Sequence, residues 1–465
     1  MNQDVPYRFS KFCKVFQKGN IRALYHSLNM ELIYIPRVME KLLEVFNTGC
    51  TLKKYFDVYF QPLTFSEKMN QLIEVLIEKE MLIPSNIDEL ETMRKIQNSL
   101  GRPEIEVMYL VLTDQCNMKC SYCFLETEAP AGYNPSDMSI ETTKRAIDLF
   151  TRFLSSSPKR KYIQLYGGEP LLNVKTLRYA VSYINHLKRE GKLPKNVYIA
   201  LVTNGTLLNK EIILFLKEND VSVGVSIDGD KNVMDAHRRY KSGKSLHRKI
   251  IENYQLLKQL GVQSGVSCTL TPENLDNFDL VLEYLINLDV RAGLSFNILL
   301  CNAGIPVTEE YVIKASECVL KGFERFREMG IYEETMMRKV KSFVNKEIAL
   351  TNCAGYGHQL VIYPQGKIGV CQDDVKSKKY VAGSVYDENF SPWENELIKE
   401  WSKRSPVNMP QCFDCEAIGI CGGGCAANAA VEYGSIWNID KRFCVHCKKS
   451  LEWLIWDQYS QIQKK

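Results

Sequence analysis

From about residue 104 to residue 330 the chain alternates between two hydrophobic periods. Short apolar runs at 106–112, 162–166, 197–203, 221–227, 263–270 and 292–299 read as strands. Between them, 140–154, 174–189, 209–218, 245–260 and 277–288 place apolar residues at helical spacing. This βα alternation predicts an α/β fold with a parallel sheet, and the pattern leaves a barrel-like and a doubly wound form both open.

The flanking segments follow different patterns. Residues 1–90 read as a small separate module. Strand-like runs at 23–28 and 31–35 surround the turn residue Asn29, and Val38, Met39, Leu42, Leu43, Val45 and Phe46 then recur at helical spacing. A second helix runs from Ser66, an N-cap candidate, through Met69, Leu72, Ile73, Leu76 and Ile77. Residues 91–103 are polar, end in Gly101-Arg102-Pro103, and predict a linker. Residues 305–350 are helical and charged, with Val312, Ala315, Cys318 and Val319 on an inward face and 331–350 as a bridge. The last stretch, 451–465, reads as a helix following a region, 351–450, that is dominated by cysteine.

At 465 residues the chain should form two to four domains. A net charge of +4 gives no basis for general nucleic-acid binding, and no apolar run is long enough for a membrane span. The start, Met1-Asn2-Gln3-Asp4, has no signal-peptide pattern, so a cytoplasmic enzyme is expected.

The sixteen cysteines change this picture. Cys13, Cys50, Cys268, Cys301 and Cys318 are scattered singly and suit small core positions. The others cluster, which in a reducing compartment points to metal. Cys116, Cys120 and Cys123 form a C-x3-C-x2-C array just after the strand at 106–112. Thiolates suit iron–sulfur clusters and zinc. Three ligands suggest a cubane with one iron open; a partial zinc site or three buried thiols are the alternatives. Cys353, Cys371, Cys412, Cys415, Cys421, Cys425 and Cys444 form a second field, with Gly422-Gly423-Gly424 inside it. Zinc-ribbon modules share parts of that spacing, so a non-catalytic zinc-binding scaffold is the contrasting reading. Polar motifs end several strands: Gly167-Gly168-Glu169-Pro170, Thr203-Asn204-Gly205-Thr206 and Ser226-Ile227-Asp228-Gly229.

The C-x3-C-x2-C array, with Tyr122 before its last cysteine, resembles the radical S-adenosylmethionine (SAM) signature. The second field resembles the seven-cysteine SPASM domain. Together they imply a radical SAM/SPASM peptide maturase, similar to thioether-forming maturases and related to anaerobic sulfatase maturases. The resemblance implies a partial (β/α)6 barrel at 104–330, a SPASM domain at 351–450 and three 4Fe–4S clusters. Cys116, Cys120 and Cys123 would hold the cluster whose open iron binds SAM and cleaves it to a 5′-deoxyadenosyl radical. Cys412, Cys415, Cys421 and Cys444 would hold one auxiliary cluster. Cys353, Cys371 and Cys425 would hold the other, whose fourth site is open, filled by a substrate thiol, or filled by Cys447. For SAM, the resemblance implies Tyr122, Gly167, Gly168 and Glu169, with the carboxylate on the ammonium, then Asn204, Ser226 and Arg238, Arg239 being the alternative carboxylate clamp. Asp373 would be the base, with Asp374 able to substitute. The order strand, strand, helix, helix resembles a winged-helix leader-recognition element, which adds a precursor's leader as a strand to a sheet edge. The implied reaction is cross-linking of a ribosomal precursor peptide, with formylglycine formation as the alternative. The implied electron donor is a flavodoxin or ferredoxin with its reductase.

Overall fold

The computed structural model describes residues 4–59, 63–100, 102–290 and 293–464, without the side chains of 58–59, 63–66 and 99. The turn residue Gly101, the strand residue Ala292 and the side chain of Ser66 lie outside the described residues.

Six parallel strands carry the site: β1 (Val107–Thr113), β2 (Lys161–Gly167), β3 (Val197–Thr203), β4 (Val221–Ser226), β5 (Ser264–Leu270) and β6 (Leu294–Ile298). They lie side by side in chain order. A doubly wound sheet reverses its strand order at a switch point. Here each strand adds to the same edge, and crossovers of one hand then place the helices on one face. The open question is settled in favour of a barrel-like sheet. It does not close. On the far side of β1 it continues with β7 (Gln359–Ile362), parallel, and then β8 (Lys367–Gly369) and β9 (Val381–Ser384), antiparallel. The chain beyond residue 350 therefore begins inside the main sheet.

The two faces of this sheet differ. Met108, Leu110, Ile163, Leu165, Leu201, Val223, Val225, Val266 and Phe296 are buried beneath the helices. The alternate positions Gln164, Ala200, Ser222, Gly224, Ser226, Gly265, Ser267 and Ser295 are only half-buried. A parallel sheet covered on both faces is apolar on both. Small and polar residues on one face instead leave a chamber. Polar caps set several helix starts beside it: the side chains of Ser139, Asn209 and Asp230 accept from the backbone N–H three residues on, at 2.9–3.0 Å.

The N-terminal module contains more strand than its pattern suggests. Cys13–Lys18, Ile21–His26 and Leu32–Pro36 form an antiparallel meander, and Pro6–Phe9 lies between Cys50–Thr51 and Leu82–Pro84 in a second sheet. Lys14, Gln17 and Lys18 hide the edge strand Cys13–Lys18 from a hydrophobic reading. The helix Leu63–Glu78 starts three residues before Ser66. Residues 91–103, expected as a linker, are helical over Glu89–Ser99, with Asp88 as N-cap and Met93 buried against Phe12, Leu28 and Val407. The C-terminal helix spans Lys441–Gln463 and so includes Cys444 and Cys447. The meander packs on it: Ala23, Tyr25 and Met30 share a core with Phe343, Ile420, Leu451 and Ile455, and Tyr34 donates to the Ile455 carbonyl at 2.5 Å.

Inside this module the buried His26 accepts from the Asn29 N–H at 3.2 Å, and its Nε2 lies 3.3 Å from Ser10 Oγ. Burial pushes its pKa from 6.5 down to about 4, against the opposing pull of Glu89 and Glu31. Between those values the unfolded chain binds a proton that the folded chain does not. Stability should therefore fall as pH drops from about 6.5 to about 4, by about 3 kcal/mol. Hydrogen exchange in Ile21–His26, corrected for its intrinsic pH dependence, should lose protection over that range, and His26→Asn should flatten the dependence.

Candidate active site

β1 hands the chain at Thr113 to a loop carrying Cys116, a short strand Met118–Cys120, and a helical turn Phe124–Thr127 that begins at Cys123. Met118–Cys120 pairs antiparallel with Arg238–Tyr240, with Cys120 opposite Arg238. All three thiols are free and half-buried. Burial pushes Cys116 up to about 11 and Cys120 up to about 12, although the Met118 N–H donates to Cys116 Sγ at 3.4 Å. Thiols in such a setting stay protonated until a metal displaces the proton.

The end of β2 holds this loop. The Gly168 N–H donates to the Thr113 carbonyl at 3.0 Å and the Glu169 N–H to Gln115 at 2.8 Å. Gly167 has φ +149°, and a Cβ there would strike the Thr113 carbonyl; one on Gly168 would strike that of Gln115. Glycine is therefore required at both positions by a backbone–backbone approach. Glu169 is fully buried. Its Oε1 accepts from the Leu171 N–H at 3.0 Å and Thr203 Oγ1 at 2.8 Å, and its Oε2 from the Asn204 N–H at 2.8 Å. Burial pushes its pKa up while these donors oppose the shift. Asn204 in turn donates to Asn117 Oδ1 at 3.0 Å, with its Nδ2 3.9 Å from Cys116 Sγ. The ends of β2 and β3 thus locate the first cysteine loop.

The structure separates the two arginine candidates. Arg238 is buried; its Nη1 donates to the Tyr122 hydroxyl at 2.8 Å and lies 3.6 Å from Asp228 Oδ2. Tyr122 donates to Asp228, which also accepts from the Thr269 N–H at 2.9 Å. Arg238 Nε is buried and has no partner among the described residues. Arg239 faces outward, with Nε on the Asp235 carbonyl at 2.6 Å. Ser226 ends β4 on the half-buried inner face, in register with Ser267. Three thiols, an unpaired guanidinium N–H and a polar chamber are a donor set that fits a three-thiolate cluster with a carboxylate-bearing cofactor beside it.

The second field forms two groups. The charge of Asp373 acts on Cys353, Cys371 and Cys425 alike. Burial pushes Asp373 up to about 6, Arg442 opposes this, and Asp374 adds to it. The two aspartates are not equivalent. Asp374 accepts from Ser377 Oγ and from the N–H groups of Lys379 and Tyr380 at 2.5–2.7 Å, whereas the Asp373 carboxylate has no hydrogen bond among the described residues. Cys412, Cys415, Cys421 and Cys444 form the other group. Cys447 and Cys421 each shift the other's thiol, so Cys447 stands near this second group, whereas the sequence had offered it for the open corner of the first. Among the described residues no three or more His, Cys, Asp or Glu side chains are gathered for one metal ion.

Gly422, Gly423 and Gly424 have φ of +68°, +84° and +71°, a left-handed run that side chains other than glycine resist. Arg404, fully buried, holds it. Its Nη1 donates to the Gly423 carbonyl at 2.5 Å and the Tyr356 hydroxyl at 2.8 Å, its Nη2 to Asn438 at 3.1 Å, and its Nε to Ile436. Tyr356 donates to the Gly424 carbonyl at 2.6 Å. Asp440 accepts from the Cys425 N–H at 3.1 Å and from Arg442 Nη2 at 2.9 Å. Sequence reading missed Arg404, Tyr356, Asp440 and Arg442. Only the last two carry any signal there, through their place just ahead of Cys444.

Residues 110–285 match the Radical SAM superfamily. The chain is 25% identical over 467 residues to the radical SAM cyclopropyl synthase TigE of Paramaledivibacter caminithermalis, covering 94% of this chain and 93% of that protein. Native anSMEcpe with bound AdoMet superposes with TM-score 0.64 at 18% identity, covering 77% of this chain and 100% of that one. Streptococcus suis SuiB bound to precursor peptide SuiA superposes with TM-score 0.56 at 12% identity, covering 94% and 99%.

Replacing Arg404 with leucine strands several buried carbonyls and should destabilise the protein by about 3 kcal/mol. Thermal unfolding will register the change, and iron bound after reconstitution should fall with it. Arg404→Lys should recover only part of the loss, because one ammonium cannot reproduce the planar fork.

Proposed function

We propose that this chain, an enzyme carrying a radical SAM domain, modifies a ribosomally synthesised precursor peptide, forming a thioether or another side-chain cross-link. One observation carries the reading. Tyr166 of β2, on the half-buried face of the sheet, is near enough to Cys123, Asp373 and Cys371 alike to feel the charge of each. Its ring meets that of Tyr109 edge-on at 5.5 Å. A substrate residue in the chamber would therefore lie between the first cysteine array and the second field. The relatives support the class: TigE is named a cyclopropyl synthase, and SuiB was solved bound to its precursor peptide.

A 4Fe–4S cluster on Cys116, Cys120 and Cys123, with SAM bound, would supply the radical that takes hydrogen from the peptide. The chain's own part is positioning. Arg238 offers its unpaired Nε–H to a carboxylate, and the free acceptor direction on Glu169 Oε2 suits an ammonium. Gly167, Gly168 and Asn204 fix the loop, Tyr122 orients Arg238, and Ser226 presents a hydroxyl from the chamber wall. Asp373, free of hydrogen bonds, is the proton acceptor beside the group of Cys353, Cys371 and Cys425. That group and the one of Cys412, Cys415, Cys421 and Cys444 suit two auxiliary clusters.

For the leader, the edge strand Cys13–Lys18 is the available side of the meander. The strand at the opposite edge, Leu32–Pro36, packs on the C-terminal helix through the Tyr34 side chain. Val15, 52% exposed on the open edge, suits strand addition.

Anaerobically reconstituted protein should bind about twelve irons per chain, and alanine at Cys116, Cys120 and Cys123 should lower this to about eight and abolish 5′-deoxyadenosine. Zinc in a colourless protein would instead support a scaffold. Removing the leader from the peptide should raise KM at least about tenfold while uncoupled SAM cleavage continues. Equal processing of a leaderless peptide to formylglycine would favour sulfatase-type chemistry. Shortening the enzyme is a poorer test, since loss of the meander would uncover Phe343, Ile420 and Leu451.

A further inference from the structure

We infer that the outer face of the ribbon formed by Met118–Cys120 and Arg238–Tyr240, with the basic turn after it, is the docking surface for a small acidic one-electron carrier protein of the flavodoxin or ferredoxin type. The inference rests on reading Cys116, Cys120 and Cys123 as the site that must receive an electron, and it adds where on this chain the donor binds.

Residues 238–249 contain six Lys or Arg and no carboxylate. The structure buries only Arg238 of these and turns the others outward. Lys119, exposed on the facing strand, is the direct cross-strand partner of Arg239. Like charges placed opposite each other destabilise a two-stranded ribbon. No acid relieves them: among the described residues Lys119, Lys241, Lys244 and Lys249 make no ion pair. The neighbouring carboxylates are already engaged. Asp235 holds Lys231 at 3.2 Å and Ser245 at 2.7 Å, Glu252 holds Arg248 at 2.7 Å, and Glu273 holds His237. Gly243, at φ +80° with open space around its Cβ position, makes the turn project from the surface.

Position adds to charge. Lys119 and Ser121 are exposed, and between them stands Cys120, so this ribbon is a wall only one residue thick between solvent and the first cysteine array. A cluster on this array must gain one electron before it can act, and a reduced carrier docked here supplies it directly, leaving the carrier oxidised by one electron. An unopposed cationic patch over the entry point would steer an acidic carrier there, an effect of about 10- to 1,000-fold on association that salt screens.

The test is the variant Lys241→Glu/Lys244→Glu/Lys249→Glu, three exposed side chains outside the catalytic set. Binding of oxidised flavodoxin, followed by surface plasmon resonance at low salt, should weaken about tenfold or more, and the difference should shrink in about 0.5 M salt. Flavodoxin-driven 5′-deoxyadenosine formation should fall in parallel, while formation driven by dithionite stays at the parent level. An equal fall under both reductants, no change in flavodoxin affinity, or a change confined to KM for the peptide would each overturn the assignment. The last would mark the patch as a peptide contact. Absence of 5′-deoxyadenosine from the parent protein under dithionite would sink the radical reading itself, independently of the flavodoxin binding result.

Discussion

The site depends on one close backbone approach. The end of β2 lies against the loop that leaves β1, with the Gly168 and Glu169 N–H groups donating to the Thr113 and Gln115 carbonyls. No side chain fits between them, which is why positions 167 and 168 are glycine. The buried Glu169 carboxylate then extends the tie to β3, and Asn204 passes it on to Asn117 in the cysteine loop. Loss of any link would leave a buried donor or acceptor unpaired, at a cost of about 1–3 kcal/mol. A flexible loop is in this way held at rigid strand ends, as a site that must position reacting groups requires.

The same logic recurs in the second cysteine field. There the left-handed run Gly422–Gly424 is held by Arg404 and Tyr356, and Cys425 by Asp440, which Arg442 neutralises. These buried groups satisfy backbone carbonyls and amides in a region with little regular structure of its own. The inner sheet face is left half-buried because it carries small and polar residues where a helix-covered face would carry branched aliphatics.

The N-terminal module is not an independent appendage. Its meander shares a hydrophobic core with the C-terminal helix that carries Cys444 and Cys447. Anything that loosens the meander would therefore disturb the packing beside the second cysteine group.

Much of this was legible from sequence. Period-two and helical runs located all six parallel strands within one or two residues, because each buries one face under a helix and local patterning reports burial. The C-x3-C-x2-C spacing pointed to a radical SAM domain, and residues 110–285 match that superfamily. The short edge strand Cys13–Lys18 was not legible, since solvent on its outer face permits lysine and glutamine. Tertiary structure alone decided the rest: the sequential strand order, the burial of Arg238 against the exposure of Arg239, the different partners of Asp373 and Asp374, and the placing of Cys447 beside Cys421. It also supplied Arg404, whose partners lie 19 to 48 residues away along the chain. Each of these depends on which groups meet across long sequence separations, and a linear pattern of hydrophobicity carries no record of that.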